Sequence, residues 1–234
     1  MKNGVLRTVL VFTGFTAYFF LLLFTLYPLL KCHFSWNSAL YWFVTGFFLF
    51  IPLFLSAIWA VRREGAQAFS ELLSGLGVRR LSRKEWYYAL GGLGVVFLAT
   101  GAIFGVSELL HHLWGIRKLS TTPWFMEMAP FRGAEKLLLL VWLPMFFFNI
   151  CGEELLWRGY LQKRLPRKGL WWVCSLLWLG FHLPFGVDLL IMLVPVVVVI
   201  PFIFSRTGNT LTGIFIHGVY NGPIFVLVAL GFIQ

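Results

Sequence analysis

The sequence predicts an all-α fold: a polytopic transmembrane helix bundle of about seven spans, N-terminus cytoplasmic, with 1–234 forming a single integral-membrane domain. Three observations predict it. Of 234 residues, 59% are hydrophobic and only 12% charged, about half the charge of a soluble domain, and mean hydropathy is +0.84. Apolar runs long enough to cross about 30 Å of hydrocarbon recur along the chain. Lysine and arginine gather in alternate loops.

Four apolar runs are clear, at 8–30, 39–61, 87–110 and 136–161, and shorter ones follow at 169–185, 187–204 and 210–232. The first is too long for a secretory signal and has no small-residue cleavage site, so it is expected to stay as an anchor. With the N-terminus inside, the inner side carries Lys2, Arg7, Arg62, Arg63, Arg79, Arg80, Arg83, Lys84, Lys163, Arg164, Arg167, Lys168 and Arg206. The outer side carries only Lys31, Arg117, Lys118, Arg132 and Lys136. This asymmetry orients the bundle and leaves Arg158 inside a span. The net charge of +10 is read as anchoring to anionic lipid. It shows no compact, aromatic-interleaved patch, so nucleic acid is not an expected partner.

Between the runs, the inner loop 62–86 holds GAQAFSELLSGLGV followed by RRLSRKEW, which reads at least equally well as a topology-setting linker as it does as an interfacial helix with a polybasic end. The outer loop 111–135 mixes proline, glycine and aromatics and is expected either to lie in the interface or to cover an entrance to the bundle. His111 and His112 within it are read as solvated. Gly101 and Gly105 form a GxxxG in the third run, with Gly91, Gly92 and Gly94 adding small surface for close packing. Cys32, Cys151 and Cys174 show no CxxC spacing and suggest neither a disulfide framework nor a zinc ribbon.

Charge inside a span is costly, about 2.5 to 3.5 kcal/mol for one acid at the centre. Glu153, Glu154 and Arg158 nevertheless lie within the run 137–161. His182 lies in WLGFHLPFG, and His217 and Asn221 lie in GIFIHGVYNGP. Glu154 and Arg158, Trp178 and His182, and His217 and Asn221 are each four apart, so each pair shares one helix face. Glu153 points about 100° away from Glu154. The expected division is that Glu154 faces Arg158 while Glu153 faces a cavity with both histidines. Pro144, Pro184 and Pro223 disturb backbone bonding near these positions, which is tolerated at membrane depth where protein or water satisfies the freed groups. Taken singly, an acid–arginine pair reads as structural and a lone Asn as interhelical bonding; together they make a candidate hydrolytic centre.

These residues resemble the motifs of the CAAX-protease and bacteriocin-processing (CPBP) family of intramembrane proteases. EELLWR matches E-E-x-x-x-R, and TGNTLTGIFIHGVYN is similar to the final segment ending in H-x-x-x-N. His182 matches the middle F-x-x-x-H motif, with Trp178 where Phe is usual. The resemblance covers 137–226. It implies an endopeptidase acting on a membrane-embedded or lipidated peptide, with Glu153 as general base and His182 helping hold the attacking water. His217 and Asn221 would stabilise the oxyanion, and Glu154 and Arg158 would support the site. It also implies a membrane location, expected here to be the bacterial inner membrane.

The expected cofactor is none. Zinc held by two histidines and a glutamate is the competing mechanism, disfavoured because no HExxH helix is present and the histidines sit in separate spans. Ser175 and Ser205 lack a nucleophile-elbow setting. A transporter or proton relay and a scaffold or immunity protein are the other classes; no internal repeat supports the former. The sequence sets neither the substrate nor the oligomeric state.

Overall fold

The computed structural model describes residues 2–127, 129–166 and 168–232. Arg167 and the side chain of Lys2, both counted among the inner basic residues, lie outside that description.

The chain opens with α1 (Lys2–Leu21), which runs through a π-helical turn (Leu22–Leu26) into α2 (Tyr27–His33). α3 (Ser38–Arg63) follows, its first turn capped by Asn37, whose side chain accepts from the Ala39 N–H. The short α4 (Phe69–Gly75) forms within the expected interfacial segment. Glu71 accepts the Gln67 and Ala68 backbone N–H groups there, and those bonds hold its carboxyl below the usual range. α5 (Arg83–Trp114) starts at a capping box in which Ser82 and Glu85 exchange side-chain and backbone bonds. α6 (Leu138–Glu153) continues into a π-helix (Glu154–Leu161). α7 (Trp171–Phe181), α8 (Val187–Thr207) and α9 (Thr210–Ala229) complete the bundle.

Among the described residues, six helical stretches are long and apolar enough by themselves to cross a membrane. The remaining expected span, 169–185, is short, yet it carries the chain from the Arg164–Glu64 end of the bundle to the Arg117–Asp188 end. α7 has 11 residues, about 17 Å of helix. It stops where His182 leaves helical geometry, Pro184 opens a single 3-10 turn, and Gly186 takes φ +93°. The outer loop reaches in to meet this short helix: Trp124 Nε1 donates to the Pro184 carbonyl at 2.8 Å, and the Phe125 ring stacks near Phe185.

The loops that the lysine and arginine count separated lie at opposite ends of the bundle. At one end Arg164 and Arg7 pair with Glu64, Lys163 bonds the Ser74 carbonyl, and Arg79 bonds the Thr207 carbonyl. At the other, Asn37 bonds Glu135, Arg117 pairs with Asp188, and the Phe131 N–H bonds the Ala229 carbonyl.

Glycine sets the closest approaches. A Cβ on Gly152 would lie 2.8 Å from the Phe50 carbonyl oxygen, so α6 meets the backbone of α3 there, and one on Gly159 would lie 2.5 Å from the Leu76 carbonyl. Within one chain the glycines of the third run divide. Gly92 meets Ile203 and Ile216, whereas Gly91, Gly94, Gly101 and Gly105 have nothing within 4 Å.

Candidate active site

Glu153, Glu154, Arg158, His182 and His217 converge in the middle of the bundle, each 6% exposed or less. They come from three elements: the α6–π-helix junction, the end of α7, and the centre of α9. The π-helix carrying Glu154 and Arg158 is a widened helix of a kind that recurs at functional sites. The Trp157 ring anchors it, stacked on Phe12 of α1 with centroids 4.0 Å apart. Gly152 draws the junction onto α3.

The two acids divide the site between them. Glu153 Oε1 accepts from Asn149 Nδ2 at 2.9 Å, and Oε2 accepts from Trp178 Nε1 at 2.5 Å. His182 Nε2 lies 3.9 Å from the same Oε2. Its other nitrogen, Nδ1, is 2.8 Å from the Trp178 carbonyl. A carbonyl only accepts, so the proton sits on Nδ1 and Nε2 presents a lone pair towards Glu153.

Glu154 takes the other half. Its Oε1 is 3.0 Å from His217 Nδ1, and its Oε2 is 3.3 Å from Arg158 Nε. His217 therefore stands with Glu154, correcting the expectation that both histidines face Glu153. The physical reason is the packing of α9 against the π-helix, which brings Gly213 against the Glu154 carboxylate and carries His217 to it one turn later. The expected Glu154–Arg158 pairing is present. The Arg158 guanidinium lies 3.6 Å over the Trp178 ring, a cation–π contact strengthened by desolvation. Apart from that ion pair, its nitrogens make no hydrogen bond among the described residues.

Asn221 shares the His217 face but is only half-buried, and among the described residues its side chain makes no hydrogen bond. Ser175 and Ser205 donate to carbonyls of their own helices, Trp171 and Phe202. His111 and His112 are exposed. Cys32, Cys151 and Cys174 are free thiols.

Two participants went unassigned in the sequence. Asn149 is one helical turn before Glu153, and the i, i+4 spacing alone signals that they can bond. Trp178 was visible as a motif position, but its indole N–H bond to Glu153 was not. For zinc, the donor arrangement is a poor fit: among the described residues no three His, Cys, Asp or Glu side chains are placed to hold a metal ion. Each half-site offers one carboxylate and one imidazole.

Beside the junction an apolar groove of about 500 Å³ runs between α6 and α9, lined by Leu143, Phe147, Ile150, Cys151, Ile214 and Gly218 among others. It flanks both acids in sequence on one wall and His217 on the other.

The fold and site define a helical membrane protein with a buried, paired acid–histidine centre. Residues 135–222 match the family model of the Rce1-like proteins, described as type II CAAX prenyl endopeptidase Rce1-like. That stretch contains all six candidate residues, and it bears out the resemblance to the CPBP intramembrane proteases. No curated protein and no solved structure matches the chain.

Proposed function

We propose that this chain is an intramembrane endopeptidase that hydrolyses a peptide bond of a prenylated or otherwise membrane-anchored peptide through glutamate-activated water, without a metal. The observation that carries the reading is the 3.9 Å gap between Glu153 Oε2 and His182 Nε2. Both atoms are acceptors, so neither satisfies the other. A water about 2.8 Å from each donates one hydrogen to each and closes the gap.

Glu153 takes a proton from that water as its oxygen bonds to the scissile carbonyl carbon. The carbonyl becomes a tetrahedral oxyanion. Glu153 then returns the proton to the amide nitrogen as the C–N bond breaks, leaving a carboxylic acid and an amine. His182, with its proton fixed on Nδ1, keeps the water's lone pair aimed at the carbon.

His217 and Asn221 serve the oxyanion in this reading. For Nε2 of His217 to donate while Nδ1–H bonds Glu154, the ring must carry both protons. Two carboxylates then face one guanidinium and one imidazolium, and the buried cluster closes at zero net charge. That balance matters because an uncompensated buried charge costs several kcal/mol. The half-buried Asn221 amide is free to donate beside His217. The groove between α6 and α9 supports an apolar or lipidated substrate, its volume falling within the 300–1,000 Å³ usual for ligand pockets. The bacterial inner membrane belongs to the same proposal.

The test is cleavage of a farnesylated fluorogenic CAAX peptide by the purified chain in proteoliposomes. Wild type should cleave, and Glu153→Gln should lose at least about 100-fold while melting at the same temperature. Wild-type rates in Glu153→Gln would overturn the proposal. Exhaustive chelation should leave the rate intact; a loss restored by zinc would favour the metal mechanism instead.

A further inference from the structure

We infer that Trp178 is a positioning residue that holds the Glu153 carboxylate as the ionised, correctly aimed base, through a hydrogen bond that the family's usual phenylalanine has no N–H to make. This rests on the proposed role of Glu153. Trp178 is 0% exposed and adjoins Glu153, Arg158 and both histidines. Its indole N–H reaches Glu153 Oε2 at 2.5 Å, the oxygen that faces His182. Its backbone carbonyl takes the His182 Nδ1 proton. Its ring face lies under the Arg158 guanidinium, and its edges lie near His182 and His217, with ring centroids 5.7 and 5.4 Å away.

One residue thus sets both groups that hold the proposed water. The backbone half of this arrangement is open to any residue at position 178, but the indole half is not. With Asn149 on Oε1, each Glu153 oxygen has one fixed donor and keeps a lone pair for water. A carboxylate buried from water loses solvation of its charge, and a fixed N–H donor restores part of it. The donor also fixes which lone pair of Oε2 remains to meet the water.

The other charged and titratable groups around Glu153 are Arg158 and Glu154 on its own segment, His182 from α7, and His217 from α9. α3, packed against the same junction, presents the apolar stretch around Phe50, Leu53 and Phe54. None of these is altered by a change confined to the indole nitrogen.

The experiment replaces Trp178 in two ways in the full chain, with the farnesylated peptide as probe. Trp178→Phe removes the N–H together with ring area. Genetically encoded 3-benzothienylalanine at 178 keeps the bicyclic shape and removes only the N–H. In both proteins the acidic limb of the kcat/KM profile should move to higher pH by about one unit, the scale of one hydrogen bond to a charged group. kcat should fall about 10-fold at neutral pH with KM little changed. The isostere should melt as wild type does, so a folding defect in Trp178→Phe leaves the test intact.

An unmoved acidic limb in the isosteric protein would overturn the inference. So would loss of all activity in it, which would make the N–H part of the catalytic machinery rather than a positioning group. Failure of the underlying reading appears separately, as full activity in Glu153→Gln.

Discussion

Gly213 on α9 leaves the space occupied by the Glu154 carboxylate: a Cβ there would overlap Oε2 and lie 3.1 Å from Cδ. The acid can therefore sit between two helices and meet His217 from one and Arg158 from its own. Gly213→Ala should push the carboxylate off both partners, destabilising the chain by about 1–3 kcal/mol and reducing cleavage more than the stability loss explains. Thermal unfolding in detergent, run beside the peptide assay, checks both. Wild-type melting and rate would show that the site tolerates a displaced Glu154.

Gly152 makes the corresponding approach on the other side. Its neighbours are the Phe50 carbonyl oxygen at 2.8 Å and the Phe54 nitrogen at 3.2 Å, and backbone cannot swing aside as a side chain can. Gly152→Ala should therefore force α3 and α6 apart, at about 1–3 kcal/mol or more. Gly101→Ala, with nothing within 4 Å, is the matched control and should be neutral or slightly stabilising. Equal melting temperatures for the two variants would contradict the packing.

Arg158 is 0% exposed and beside Glu154. Removing only the cation in Arg158→Met leaves buried carboxylate charge uncompensated, a loss of about 3–5 kcal/mol. Adding Glu154→Gln in the same chain should recover part of it, because the pair is then removed together. A double variant no more stable than the single would mean that Arg158 acts through packing on Trp178 alone.

Arg117 and Asp188 form a two-pronged pair at 2.7 and 2.8 Å, but the Arg117 side chain is 74% exposed. Solvent screening leaves such a pair little stabilising weight. Arg117→Ala should accordingly leave the melting temperature nearly unchanged while speeding limited proteolysis of the loop after α5. Unaltered proteolysis would show that Trp124 and its bond to the Pro184 carbonyl hold the loop unaided.

Much of the fold was legible because the membrane requires it. Backbone groups in hydrocarbon must bond internally, so long apolar runs can only be helices, and the lysine–arginine asymmetry sorts the loops. That the run 169–185 crosses on a short, broken helix was not legible, for a related reason. Hydropathy registers that a segment is apolar but not how far its helix continues, and Pro184 and Gly186 end α7 after Phe181. The GxxxG at Gly101 and Gly105 is likewise silent on its partner: small residues permit close packing, and within one chain these two meet nothing within 4 Å.

By itself the sequence determined that acids, histidines and an arginine would be trapped at membrane depth on three helices, because spacing sets helix faces and hydropathy sets depth. Only the tertiary structure decided that His217 joins Glu154 and that the Trp178 N–H joins Glu153. Both depend on the rotation and separation of neighbouring helices, set by contacts such as Gly213 on Glu154 and Gly152 on Phe50. Those contacts join residues far apart in the chain, so spacing along one helix does not reveal them.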